Sequence, residues 1–143
     1  MQFGFIHGVM NTDNMTVSGE TIDFGPCAFM DEYDPATVYS FIDRRGRYAY
    51  GNQPGILQWN LARLAETLLP LIDTDAGQAL ERATTSLQGV SARFERHWLA
   101  GFRRKLGLDL HEDGDRALVT DLLTGMQAEA ADFTNTFGAL AAA

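Results

Sequence analysis

His7-Gly8-Val9-Met10-Asn11-Thr12-Asp13-Asn14, followed nine residues later by Asp23-Phe24-Gly25, is the stretch on which the reading of this chain turns. Between the two blocks lie two short strand candidates, 15–18 (MTVS) and 21–24 (TIDF), separated by Gly19-Glu20. Glycine at the first central position suits a type II′ hairpin turn. With the turn there, Val17 faces Ile22, Thr16 faces Asp23, and Asn14 lies beside the end of the second strand. The side-chain oxygens of Asn14 and Asp23 are then expected to meet at one end of a two-stranded ribbon, with Asp13 alongside. Both are hard oxygen ligands of the kind Mg²⁺ prefers. Such sites take one or two protein ligands and leave the rest to phosphates and water.

The spacing resembles a protein-kinase catalytic loop, in which H-R-D-x-x-x-x-N precedes D-F-G and the Asn and the second Asp hold metal. His7, Asn14 and Asp23-Phe24-Gly25 fall on matching positions. The kinase base falls on Val9, which can neither accept a proton nor orient a hydroxyl. The nearest carboxylate is Asp13.

That departure, together with four further blocks, resembles the selenoprotein O (SelO/YdiU) pseudokinases. The blocks are YDP at 33–35, GRYAYGNQP at 46–54, WNLARLAETLLPL at 59–71 and DFTNTF at 132–137. The resemblance spans essentially the whole chain, and HGVMNTDN is its most specific part. It implies a mainly α fold with a small β-hairpin, the partial C-terminal lobe of a protein-kinase-like domain. It also implies transfer of AMP, not phosphate, from ATP to Ser, Thr or Tyr hydroxyls of client proteins. By the same resemblance Asp13 is the proton acceptor, Asn14 and Asp23 hold Mg²⁺ (Mn²⁺ being the alternative), and Asp23 contacts the ATP phosphates.

Some of what such a site needs is missing. The sequence shows no Gly-rich phosphate loop, and its single lysine, Lys105, sits in a helical pattern. In the family the glycine loop, the ATP-contacting lysine and the phosphate-binding arginines lie upstream. The chain is therefore expected to be a fragment, inactive without its missing N-lobe. Its opening directly on motif sequence suggests the same. Two other readings stand beside this one: a residual kinase with Asp13 as substitute base, and a non-catalytic module.

Residues 1–50 read as catalytic loop, hairpin and irregular chain, with Asp34-Pro35 a turn or helix start. Residues 51–143 read as a helical subdomain of one partial domain. Asn52 is expected to cap a first helix carrying Ile56, Leu57, Leu61, Leu64, Ala65 and Leu68 on one face. Pro70 or residues 73–75 should end it. Thr74 or Asp75 should cap a second helix running to about Leu106, with Leu80, Leu87, Val90, Phe94, Trp98 and Phe102 inward and Gly107 as its C-terminal stop. Two more helices are expected, from Asp115 to about Leu123 and from Gln127 to about Leu140.

Composition narrows the function classes. The chain has 143 residues, 45% of them apolar, and a formal net charge of −8. That balance argues against a nucleic-acid or anionic-membrane surface, yet Mg²⁺ can bridge carboxylates to a nucleotide. One cysteine, Cys27, allows no intrachain disulfide and no CxxC motif; it reads as a small buried hydrophobe. No signal peptide or membrane span is legible at this stage, and a bacterial cytoplasmic location is expected. His7 reads as a structural loop residue; His97 and His111 read as surface or helix-packing residues. Arg44, Arg45 and Arg47 read as a solvated cluster, the acidic 109–115 stretch as capping and solvation. Trp59 and Trp98 read as core, and Tyr48 and Tyr50 as packed against the helices.

Overall fold

A computed structural model describes residues 1–20, 25 and 27–142 of the chain. It is mainly helical, with a two-stranded antiparallel sheet in the described part. The strands are β1 (Phe5–Ile6) and β2 (Ala28–Phe29), paired Phe5 to Phe29 and Ile6 to Ala28. The pairing continues one step outward, where the Met30 amide donates to the Gly4 carbonyl at 2.9 Å.

This is not the ribbon expected from the sequence. Residues 15–18 form no strand: Met15 is extended, but Val17 and Ser18 occupy a turn. The Gly19 amide donates to the Thr16 carbonyl at 3.2 Å, Gly19 has φ +74°, and the Thr16 hydroxyl donates to the Glu20 carbonyl at 2.7 Å. Residues 16–19 form a tight turn that ends on a left-handed glycine. Glycine thus sits at the end of the turn rather than at its first central position. The second strand candidate, 21–24, lies outside the described residues.

Five helices follow: α1 (Gln53–Ile72), α2 (Ala76–Gln88), α3 (Val90–Lys105), α4 (Asp115–Ala128) and α5 (Phe133–Ala141). Pro54 sits in the first turn of α1, where its missing N–H costs nothing. Asn52 precedes it but spends its side chain on the Gly46 carbonyl, at 2.7 Å. Pro70 is accommodated in the last turn of α1. Asp75 caps α2 as expected, accepting from the Gln78 amide at 2.8 Å.

The long second helix of the sequence reading is two helices, interrupted at Gly89 (φ −78°, ψ −8°). Arg93 covers the break by donating to the Ser86 carbonyl at 3.1 Å. Gly107, at φ +65°, ends α3: the Leu108 amide donates to the Arg103 carbonyl at 3.0 Å and the Gly107 amide to Arg104 at 3.4 Å. The helix starting at Asp115 runs to Ala128, beyond Leu123, and α5 begins at Phe133 rather than Gln127.

The core gathers Ile6, Met30, Tyr33, Tyr50, Phe102, Val119, Leu123, Met126, Phe133 and Phe137. Phe133 is its hub, with ring centroids 5.1 Å from Phe137, 6.0 Å from Tyr33 and 6.4 Å from both Tyr50 and Phe102. Such aromatic pairs add stabilisation beyond their buried area. Trp98 packs against this cluster, 4.8 Å from Phe102. Trp59 does not: it is 42% exposed, with the Arg47 and Arg63 guanidinium groups 4.9 and 5.4 Å from its ring. Leu80 is likewise outside, because α2 buries Ala79 and Ala83 instead. Small side chains let a neighbouring helix approach closely.

Candidate functional site

The β1–β2 pair closes the base of a long excursion, residues 7–27. His7 leaves β1 at the same end at which Cys27, half-buried, enters β2. The candidate loop and the segment that follows Asp23-Phe24-Gly25 therefore share one end of the small sheet. Asp23 itself lies outside the described residues.

Within the loop, Thr12–Asn14 form a single 3₁₀ turn, closed by the Asn14 amide donating to the Asn11 carbonyl at 3.0 Å. Asp13 and Asn14 are thereby presented side by side, both exposed. The Asn14 Nδ2 donates to the Val9 carbonyl at 3.1 Å. Its Oδ1 accepts no hydrogen bond among the described residues, and the Asp13 carboxylate has no partner among them either. The amide nitrogen is thus turned inward and the two hard oxygens are left available.

His7 holds this arrangement from inside. Its Nε2 is 3.1 Å from the Asn14 carbonyl oxygen, and the Val9 amide points at Nδ1 at 3.4 Å. The ring bridges both ends of the loop.

Three further side chains anchor the loop from outside. Gln53, at the start of α1, accepts from the His7 amide and donates to the Phe5 carbonyl, both at 3.0 Å. Asn60 donates to the Met10 carbonyl at 2.9 Å. Tyr48 donates to the Asn11 side chain in a short hydrogen bond. None of the three was singled out for the site in the sequence. Asn60 could have been found, because it is an amide on the otherwise apolar face carrying Ile56, Leu57, Leu61 and Leu64.

The other candidates fall where solvent is. Arg44 and Arg45 are exposed, His97 and His111 are exposed, and Asp109, Glu112 and Asp113 line a surface loop. Asp115 differs: it is buried, its Oδ2 lies 2.8 Å from Arg103 Nε, and it accepts from the Glu112 amide at 3.1 Å. Tyr48 and Tyr50 are buried, and so is Ala49 between them. Among the described residues no helix is long and apolar enough to cross a membrane.

The Asn14 amide oxygen is a hard donor of the kind a divalent cation of the Mg²⁺ type takes, and the Asp13 carboxylate is its neighbour in the chain. Among the described residues no group of three His, Cys, Asp or Glu side chains forms a metal cage. Donors from a bound phosphate would have to complete the shell.

Comparison with known proteins gives one answer across the chain. The family model described as "Protein adenylyltransferase SelO" matches residues 1–143. A Rhizobium etli protein named "Protein nucleotidyltransferase YdiU" is 67% identical over 137 residues, 96% of this chain and 27% of the relative. A protein of the same name from Cereibacter sphaeroides is 64% identical over 141 residues, 99% of this chain and 29% of the relative. The chain therefore spans somewhat under a third of the length of the curated relatives it matches. On residues 1–143 taken together, the chain belongs to the SelO family.

Proposed function

We propose that this chain is the metal-holding part of a protein adenylyltransferase with a protein-kinase-like C-terminal lobe, and that Asp13, Asn14 and Asp23 are its working residues. One observation carries the reading. Asn14 turns its nitrogen to the Val9 carbonyl, and its oxygen and the neighbouring Asp13 carboxylate have no partner among the described residues. The family and the relatives' names supply the reaction class.

In this reading Asn14 and Asp23 hold Mg²⁺, which neutralises phosphate charge when bound. Asp13 orients a Ser, Thr or Tyr hydroxyl of a client protein and takes its proton as the bond to the α-phosphorus forms. The bond from the α-phosphorus to the oxygen bridging it to the β-phosphate breaks, and pyrophosphate leaves. Val9 stands where a kinase would place its base, so transfer of the γ-phosphoryl group has no base at the usual position. The clamp on the outer phosphates is expected from the part of the relatives that this chain does not span.

The test is a hybrid in which these 143 residues replace the matching segment of the Rhizobium etli relative. It is incubated with Mg²⁺ and ATP labelled at the α- or the γ-phosphate. Protein labelling from the α-position alone is expected, reduced ~10²-fold or more in Asp13→Ala. Labelling from the γ-position alone would establish a kinase instead. Labelling from neither would leave a non-catalytic module.

A further inference from the structure

We propose that Gln53 and Asn60 are positioning residues, and that α1 serves as the platform on which the Asp13–Asn14 turn is set. This deepens the adenylyltransferase reading and rests on it for its catalytic consequence.

The two amides are seven residues apart on α1, two helical turns, and so share a face about 10 Å long. Each is 7% exposed. The Gln53 amide nitrogen donates to the Phe5 carbonyl in β1, and that of Asn60 to the Met10 carbonyl and the Met15 sulfur. Gln53 fastens residues 5 and 7, at the exit from β1, and Asn60 fastens Met10. The loop is thereby laid along α1 in the stretch immediately before the 3₁₀ turn. Tyr48 extends the same fastening to Asn11.

The case for a role beyond packing comes from Asn60. Its Oδ1 is buried with no hydrogen-bond partner among the described residues. A buried unbonded carbonyl is destabilising, and an apolar side chain of similar size would remove that cost. Stability alone would favour leucine here, on a face that already carries Leu57, Leu61 and Leu64. What leucine could not do is hold the Met10 carbonyl, which lies three residues before Asp13. Gln53 shows the same economy: one side chain satisfies one donor and one acceptor of the loop, as a paired strand would.

Catalysis by positioning is sensitive to displacements of an ångström or less. Loss of either fastening should therefore lower turnover without removing any group that touches substrate. It should also weaken the divalent cation, because Asn14 is tied through the Val9 carbonyl to the segment that Gln53 and Asn60 hold.

The experiment uses the hybrid described above with Gln53→Leu, Gln53→Glu and Asn60→Leu. Hydrogen exchange at residues 7–14 is expected to accelerate about tenfold or more, with α4 and α5 unchanged. Turnover should fall about tenfold with KM for ATP within about twofold, and the half-saturating Mn²⁺ concentration should rise several-fold. Gln53→Glu, which keeps the acceptor for His7 but loses the donor to Phe5, should fall between the unsubstituted hybrid and Gln53→Leu. Unchanged exchange at 7–14 overturns the proposal. So does faster exchange with unaltered turnover and Mn²⁺ requirement, and so does equal acceleration throughout the helices in all three variants. If the unsubstituted hybrid transfers no AMP, the adenylyltransferase reading falls. The platform is then judged by exchange and by the signal of free Mn²⁺ in titrations with ATP.

Discussion

The Nε2 of His7 lies 3.1 Å from the main-chain carbonyl of Asn14, while its Nδ1 faces the Val9 amide at 3.4 Å. A backbone N–H can only donate, so Nδ1 accepts and Nε2 carries the ring hydrogen. The ring is then a two-ended strut across the loop. Its removal in His7→Ala takes away two hydrogen bonds, each with a net value of ~1 kcal/mol. In the hybrid, turnover should fall roughly 10- to 100-fold, while ATP affinity, measured by equilibrium binding, stays close to that of the parent. A His7→Ala hybrid with full turnover would remove the strut from the account of the site.

Helix ends show what could be read in advance and what could not. Gly107 was legible as the stop of α3 because a left-handed residue suits glycine, and it adopts φ +65° there. The stop of α4 uses the same hydrogen-bond pattern: the Ala131 amide donates to the Met126 carbonyl at 2.9 Å and Ala130 to Gln127 at 3.3 Å. Its left-handed residue is Ala130, at φ +48°, and alanine gives no sign of it in a sequence. The start of α5 is also local, since the Asp132 side chain accepts from the Asn135 amide at 2.7 Å. Helical periodicity running through 127–140 hid it. Ala130→Gly should therefore stabilise the fold by ~0.5–1 kcal/mol, against the usual direction of such a change. Urea unfolding midpoints of the two hybrids would show it.

The small sheet was hidden for another reason. Its strands are two residues long and come together across a loop of more than twenty residues, so no local pattern announces them. The candidate site was legible only as residue types, Asp13 beside Asn14, because the block carries them in order. The amide of Gln53 was not, and that of Asn60 stood out only as a polar group on an apolar face, because their partners are backbone atoms some fifty residues away.

Arg103 and Asp115 pin the loop between α3 and α4. Nε and Oδ2 are 2.8 Å apart, with side chains 15% and 8% exposed, and the guanidinium also donates to the Leu110 carbonyl. The contact is an ion pair between two largely buried side chains. Removing one partner of such a pair leaves a charge poorly solvated, at ~3–5 kcal/mol. Asp115→Ala should lower the unfolding midpoint accordingly. Arg116→Ala, which breaks an exposed pair with Glu95, should cost no more than ~1 kcal/mol. Equal effects of the two substitutions would refute the distinction.

Alkaline pH should act on the aromatic side of the core with opposite signs, through Lys105 on one hand and Tyr50, joined by Tyr33, on the other. The Lys105 ammonium sits 4.2 Å from the Phe137 ring centroid, 4.9 Å from Phe133 and 5.5 Å from Phe3. The rings attract the cation; burial lowers its pKa from the usual 10.5. The folded chain then releases this proton before the unfolded chain does, so stability rises with pH in the window just below 10.5. Tyr50 works the other way. Burial first, and Tyr33 second, raise its phenol above the usual 10.0. The folded chain keeps that proton longer, so stability is lost as pH climbs beyond 10.0. Lys105→Met should abolish the rising limb, and Tyr50→Phe should shallow the falling one, at the cost of the hydrogen bond from its hydroxyl to the Met1 carbonyl. Unfolding midpoints from pH 8 to 11 in steps of about half a unit would resolve both limbs. A Lys105→Met profile parallel to that of the parent would show that this lysine's proton is held equally in the folded and unfolded chain.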